Sequence, residues 1–482
     1  MSLAYLMFSS MSGVNFFHEV FSFSLFRNIQ PIIATATETA TKIEAEPAMV
    51  IAGVLLSLVA IYIASKAGGE FFNWLGFPPV LGELVGGVII GVSALNLVIF
   101  PESGGDSSSS LIISLLETTA GLAPDAAEAT FQVQSEVLEV LAELGVIILL
   151  FEIGLESNIR DLMQVGVQSL IVAIVGVTLP FVAGTAGMMA IFHVSVVPAV
   201  FAGAALTATS IGITSRVLAE ISRLNTQEGQ IILGAAVIDD VLGIIILAVV
   251  ASLAKTGEVD VVNVVYLIIS ASVFLVGAIL LGRFFNDTFV FFAGKFKTRG
   301  RAVIPALTIA LFMAYIGAAI HLEAILGAFA AGLVLDNLDE TEVGRELEEL
   351  IRPISDVIVP IFFVTVGTKT NLGVLNPAIP TNREGLVIAI FLIVVAIVGK
   401  VACGFSVFGI ENINRLAIGV GMVPRGEVGL VFASVGSASG ALSPALDVAI
   451  ILMVIITTFL APPLLRVVFG EGETEEVPES SG

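Results

Sequence analysis

The sequence predicts an all-α polytopic membrane protein of about thirteen transmembrane helices, and three observations carry that expectation. Of 482 residues, 57% are hydrophobic and only 13% are charged, and the mean hydropathy is +1.04. A soluble globule of this length needs far more polar surface. Crossing the hydrocarbon layer takes about 20 apolar residues as a helix, and such stretches recur between about residues 48 and 469. These stretches are continuously apolar instead of alternating, which excludes a spanning β-barrel.

Apolar runs between polar breaks centre near residues 58, 88, 147, 173, 206, 240, 273, 309, 327, 358, 397, 425 and 457. Cytoplasmic loops should hold the lysines and arginines. With the segment before the first span outside, thirteen basic residues fall inside, among them Lys66, Arg216, Arg352 and the cluster in 296–301. Only Lys255, Lys369 and Arg383 fall outside. That places the C-terminus in the cytoplasm. The division expected is a leader at 1–47, a membrane unit at 48–470 and an acidic tail at 471–482. The leader reads either as an extra or interfacial helix or as a processed segment. The loop at 101–135, with PESGGDSSSS and no basic residue, belongs outside.

The formal net charge of −22 lies mostly in the tails and that loop, which argues against nucleic acid as a partner. Cys403 is the one cysteine and lies in an apolar stretch, so no internal disulfide forms. No His or Cys cluster has metal-ligand spacing and no serine has a triad, so neither an enzyme nor a bound cofactor is expected. The glycines of GVGMVPRG lack the strand-turn-helix setting of a dinucleotide site, and no nucleotide-binding domain is expected after residue 470.

The strongest chemical signal is AAVIDDVLGIII, where Asp239 and Asp240 sit together in the middle of a span. One charge at that depth costs about 2.5–3.5 kcal/mol on insertion scales. Neighbouring helical residues point about 100° apart, so one carboxylate can face a cavity while the other turns to a partner. Close carboxylates do not both ionise at low cost, so the pair suits protons or a small hard cation. The alternative is a pair that only bonds neighbouring helices. Lys400, about fifteen residues into its span, needs a carboxylate, and Asp239 is the natural one; the alternative is snorkelling to an interface.

In LTATSIGITSR, Thr207, Thr209 and Ser210 interrupt the span before the aspartates. They read either as hydroxyls bonded back to the preceding turn or as an unwound stretch whose carbonyls and hydroxyls line a cavity. Its counterpart is GVGMVPRGEVG, where Pro424 forces a break and brings Arg425 and Glu427 into the membrane. Those two read as a self-satisfied structural pair or as electrostatic tuning of the site. Glu83, Glu152 and Glu156 either line an access path or are solvated span ends. His193 and His321 are pH sensors or ordinary surface histidines.

TATS followed by AAVIDD, then Lys400 and PRGEVG, resembles the monovalent cation:proton antiporter-2 family. PPVLGELVGGVIIG, LLFEIGLE, LGAFAAGLVL and PIFFVTVGTKTNL are similar to its spans, so the resemblance covers nearly all of 48–469. It resembles most a sodium/proton antiporter of bacterial type, the cyanobacterial type included, and it departs from potassium efflux relatives, which have an amide where Asp239 stands. The resemblance implies the sodium/proton antiporter fold, a homodimer, and a mobile core of two inverted repeats with crossing broken helices, at about 161–253 and 386–469. It also implies Asp240 as the main cation and proton ligand and Asp239 as a second carboxylate paired with Lys400. Thr207 and Thr209 would stand at the helix break.

The expected function is secondary active exchange of sodium, with potassium or lithium as alternative cations, for protons across a lipid bilayer. Exchange would be electrogenic and would proceed by alternating access. The membrane would be the bacterial plasma membrane or, in a photosynthetic bacterium, the thylakoid. The rivals are a potassium/proton exchanger with the same fold and an ion channel, which would show a hydrated pore lined by rings.

Overall fold

The computed structural model describes residues 45–157, 159–256, 260–274, 277, 289, 302–320, 322–335 and 342–470. The leader up to residue 44, the basic loop at 296–301, His321 and the acidic tail lie outside the described residues. Among the described residues every regular element is a helix. A chain in hydrocarbon has no water to satisfy its peptide groups, and a helix satisfies them within one segment.

The first helices are α1 (Pro47–Trp74), α2 (Pro79–Ile90), α3 (Leu111–Thr119), α4 (Pro124–Glu156) and α5 (Ile159–Gln164). Then follow α6 (Gly166–Ala190), α7 (Val196–Ala205), α8 (Ile211–Glu220), α9 (Gln227–Thr256) and α10 (Val261–Phe274). The second half holds α11 (Val303–Ala319), α12 (Ala324–Leu335), α13 (Glu342–Thr368), α14 (Pro380–Gly404), α15 (Arg415–Gly421), α16 (Glu427–Ala438) and α17 (Pro444–Phe469). Local chemistry sets many starts. Proline stands at the opening of α1, α2, α4, α14 and α17, where its missing N–H costs nothing. Ser110, Asn414 and Ser443 cap α3, α15 and α17 by accepting from backbone amides.

Six of these helices are long and apolar enough to cross a membrane by length and composition, while α2, α7, α10, α11, α12 and the apolar part of α16 are 10–17 residues long. Among the described residues that measure does not confirm the expected thirteen spans. Two pairs of short helices are the halves of interrupted segments: α7 and α8 flank Leu206–Ser210, and α15 and α16 flank Met422–Gly426. Each interruption is five residues long. In each half of the chain a long helix, a broken one and another long helix follow in order: α6, α7/α8, α9 and α14, α15/α16, α17.

Packing falls into two sets. One joins α1, α2, α4, α11, α12 and α13, and the other joins α6–α9 with α14–α17. Contacts between the sets run mainly through α8 against α4 and α2, and α17 against α2. Lipid tails are as apolar as leucine, so helices here adhere through close packing more than through the hydrophobic effect. α4 and α12 cross where Gly154 and Gly332 face each other: a Cβ on Gly332 would strike the Phe151 carbonyl oxygen and lie 2.7 Å from Gly154 Cα. Gly332→Val should therefore lower stability by about 1–3 kcal/mol, seen as a lower thermal midpoint in detergent. Gly166→Ala, where a Cβ meets nothing within 4 Å, should leave that midpoint in place.

Candidate functional site

An interruption leaves carbonyls and amides without helical partners in mid-span, and each needs another partner. Here the two interruptions cross and satisfy one another. The Ser210 amide donates to the Pro424 carbonyl (2.9 Å), the Thr209 hydroxyl donates to the Met422 carbonyl (3.1 Å) and the Thr214 hydroxyl to the Gly421 carbonyl (2.9 Å). Arg425 is wholly buried and reaches back to the first break. Its guanidinium donates to the carbonyls of Ala208 (2.6 Å), Thr207 (3.4 Å) and Leu206. Thr458 of α17 donates to the Arg425 carbonyl. A guanidinium presents five donors in a planar fork, which suits several carbonyls of one unwound turn.

The sequence reading thus needs adjustment at this point. Carbonyls 206–208 are not free; each accepts from Arg425. Thr207 bonds back to the Ala204 carbonyl (2.7 Å), whereas Thr209 bonds across to the second break. Glu427 opens α16. Thr214 and Thr458, which join the crossing from within α8 and α17, were not singled out in the sequence. Their one signal is a hydroxyl in an apolar span, a feature shared by many threonines bonded only to their own helix.

Asp239 and Asp240 lie midway along α9, 0% and 2% exposed. Lys400 of α14, also 0% exposed, donates to both carboxylate oxygens of Asp239 at 3.1 Å. Gly399 lets α14 approach α6 beside it, since a Cβ there would lie 2.9 Å from Pro180. Cys403, buried one turn further on, donates its thiol to the Lys400 carbonyl at 2.9 Å. One turn beyond Asp240, Gly243 faces Ala208 of the first break, and α9 packs on α7, α15 and α16. Both aspartates therefore belong to the helix that runs past the crossing.

A cavity of about 360 Å³ opens between α4 and α13 of one set and α16 and α17 of the other. Its lining runs from Glu102, Glu139 and Lys369 down to Gly426 and Thr458 at the second break. Elsewhere along the bundle, one of the following polar contacts joins the two sets, that of Val80 with Glu220, and the others lie within a single set. Arg216 holds Glu220 at 3.1 Å, the Val80 amide donates to Glu220 (3.5 Å), Ser65 donates to Glu83 (3.0 Å) and Ser355 donates to Glu152. Glu156 lies 3.9 Å from Arg352. Each of these acids thus has a partner other than the two aspartates. His193 is exposed in the turn between α6 and α7, with a φ of 53°.

Residues 54–469 match the family described as sodium/hydrogen exchanger, transmembrane. The chain belongs to the sodium/hydrogen exchanger family. It is 61% identical over 449 residues to the high-affinity Na(+)/H(+) antiporter NhaS3 of Synechocystis, covering 93% of this chain and 96% of that protein. It is 32% identical to the Na(+)/H(+)-K(+) antiporter GerN of Bacillus cereus, covering 86% and 95%. Among solved structures, the sodium proton antiporter MjNhaP1 from Methanocaldococcus jannaschii at pH 8 superposes with a TM-score of 0.59 at 17% identity, covering 88% of this chain and 99% of that one. At that identity the likeness establishes the exchanger fold alone.

In this exchanger-family chain, removing one partner of a buried ion pair strands the other charge, at a cost of about 3–5 kcal/mol. Lys400→Gln should lower the thermal midpoint in detergent accordingly. Adding Asp239→Asn to Lys400→Gln should recover much of the loss. Equal losses in the single and double variants would mean that Lys400 is held by its hydrocarbon packing and not by Asp239.

Proposed function

We propose that this chain exchanges sodium for protons by alternating access at Asp239 and Asp240, with Lys400 as the internal counter-charge. The observation that carries this reading is the placement of an ion-paired aspartate and its neighbour on the helix that passes two crossed helix breaks. Broken helices at the midplane mark ion sites in secondary transporters. Sodium and protons compete for the same carboxylate oxygens, so the site is loaded with one or the other. Asp240 is the main cation and proton ligand, and Asp239 alternates between proton or cation and its bridge to Lys400. Thr207, Thr209, Ser210, Pro424, Arg425 and Glu427 build the crossing that positions them, and the unit that moves is the set formed by α6–α9 and α14–α17.

Two carboxylates allow two protons per cation. One pH unit supplies about 1.4 kcal/mol per proton, and one net charge moved gains about 2.3 kcal/mol per 100 mV, so such an exchanger extrudes sodium on voltage as well as on pH. A second reading, in which potassium replaces sodium, is supported by the GerN relative, whose name includes both cations. The homodimer, the plasma or thylakoid membrane and the cytoplasmic C-terminus belong to the same proposal. The apolar stripe Ile51, Leu55, Val59 and Ile63 on α1, each more than half exposed, offers a face for a second copy or for lipid.

The test is dissipation of a preset pH gradient in vesicles holding the purified protein, on addition of sodium or potassium. The natural chain should respond to sodium, and Asp240→Asn should respond at least about a hundredfold more slowly, as expected when the proton-carrying group is removed. Full exchange in Asp240→Asn would remove Asp240 from the mechanism. A response to potassium alone would replace sodium by potassium and leave the site assignment standing.

A further inference from the structure

We propose that an apolar crevice between α12 and the helices α5, α6 and α9 takes one hydrocarbon tail of a bilayer phospholipid, which fills the boundary of the two sets beside the aspartate helix. The use of such a site rests on the exchange reading above, whereas its occupancy rests on separate residues.

The two sets touch mainly through α8 and α17 against α2 and α4. Elsewhere each helix finds its neighbours within its own set: α12 packs on α4 and α11, while α9 packs on α6, with α5 against both α6 and α9. Between them lies a crevice of about 230 Å³. Phe329 of α12 stands in one wall and Gly234 and Ile238 of α9 in the other, with Met163 of α5 and Gly166 at the start of α6 beside them.

Among the described residues of the lining, Ser169 alone has a polar side chain, and its hydroxyl oxygen is wholly covered. It is turned against Gly234, where a Cβ would come within 2.7 Å of it. Water held in a cavity needs about two to four polar partners, and these side chains offer none. Left empty, the crevice would cost its wall atoms their dispersion contacts. A hydrocarbon guest restores those contacts and asks for no hydrogen bond. The bilayer supplies one at the mouth. Met163 lines the crevice and is 64% exposed, and it opens a stripe continued by the exposed Val167, Leu170 and Ile174 of α6, spaced three or four residues apart on one helix face. α6 is long and apolar enough to cross a membrane, so the surface that bathes in lipid tails runs directly into the crevice.

The position of the site links it to the exchange chemistry. Ile238, in the wall, directly precedes Asp239. A tail held here touches the aspartate-bearing helix of one set and α12 of the other, yet it is bonded to neither. In the proposed cycle it keeps the boundary dry and packed while one wall shifts past the other, which a side chain fixed to either wall does not do.

The experiment is quenching of a tryptophan reporter by phosphatidylcholine with brominated tails, in vesicles holding the purified protein. Trp74, the one tryptophan of the chain, is changed to Phe throughout. Phe329→Trp places the reporter in the crevice wall, at a position 2% exposed. Val167→Trp is the reference on the exposed stripe, and Phe363→Trp, at a position 0% exposed and outside the lining, is the buried one. Bilayer lipid is in large excess over protein, so a site that binds tails is nearly full. Phe329→Trp should then lose most of its emission, as Val167→Trp does, while Phe363→Trp keeps most of its own. Adding Gly166→Phe, where a Cβ meets nothing within 4 Å, should plug the crevice and return most of the emission of Phe329→Trp. Emission from Phe329→Trp that brominated tails leave unchanged, or that aqueous acrylamide quenches instead, would overturn the proposal. So would quenching that Gly166→Phe does not relieve, since tails would then reach α12 by another route. Should Phe329→Trp fail to fold, native mass spectrometry of the natural chain and of Gly166→Phe decides: the plug should remove one retained phospholipid per chain, and equal counts would overturn the site. Both readouts are taken without transport, so a chain that holds the tail but exchanges nothing in vesicles would refute the exchange reading and leave the crevice site standing.

Discussion

Peptide groups left unpaired in the middle of a membrane span are the constraint on which the rest of this structure depends. Two five-residue interruptions expose such groups at the same depth, and the fold answers by crossing them so that each serves the other. Arg425 is the central tie, because its fork gathers three successive carbonyls of the first break. The ties from Ser210, Thr209 and Thr214 run between the same two segments. Segments joined at this many points pack as one unit of α6–α9 and α14–α17 at their centre.

That body holds its charge in a particular form. The Lys400–Asp239 bridge is buried on all sides, and a bridge in that setting is a poor source of stability but a sharp one of specificity: it is intact or it is broken, with little between. A site that exchanges ligands needs such a two-state element. Its neighbour on α9 stands about a quarter turn away, close enough to be coupled to the bridge and turned toward different surroundings. The cavity reaching Gly426 and the contact of Val80 with Glu220 lie at different places along the boundary between the two sets.

How much of this was legible in the sequence follows from what each residue costs. Asp239, Asp240, Lys400 and Arg425 stood out because an unneeded charge in hydrocarbon is expensive, and the structure buries all four. The breaks were legible because proline, glycine and clustered hydroxyls have known local effects, and the helical class followed from hydropathy alone. The partner of each group was harder to read. Arg425 stands two positions before Glu427, yet its partners are carbonyls more than two hundred positions away. A carbonyl carries no signature in a sequence. For the same reason Lys369 reads as an ordinary outer-loop lysine until the fold brings Glu102 and Glu139 to it, and Glu152 reads as a span-end acid until Ser355 is placed against it.

The bookkeeping of formal charge at the crossing bears on energy conversion. Lys400 and Arg425 offset Asp239 and Asp240 one for one, so with all four ionised the unoccupied site is neutral. Under the proposed exchange the body that crosses the membrane would then carry one positive charge when loaded with sodium and two when loaded with protons. Neither stroke of the cycle would be electrically silent. A membrane potential would oppose the first and assist the second twice as strongly, so that the resting voltage of the cell would set the balance of time spent on each side as well as the direction of net flow.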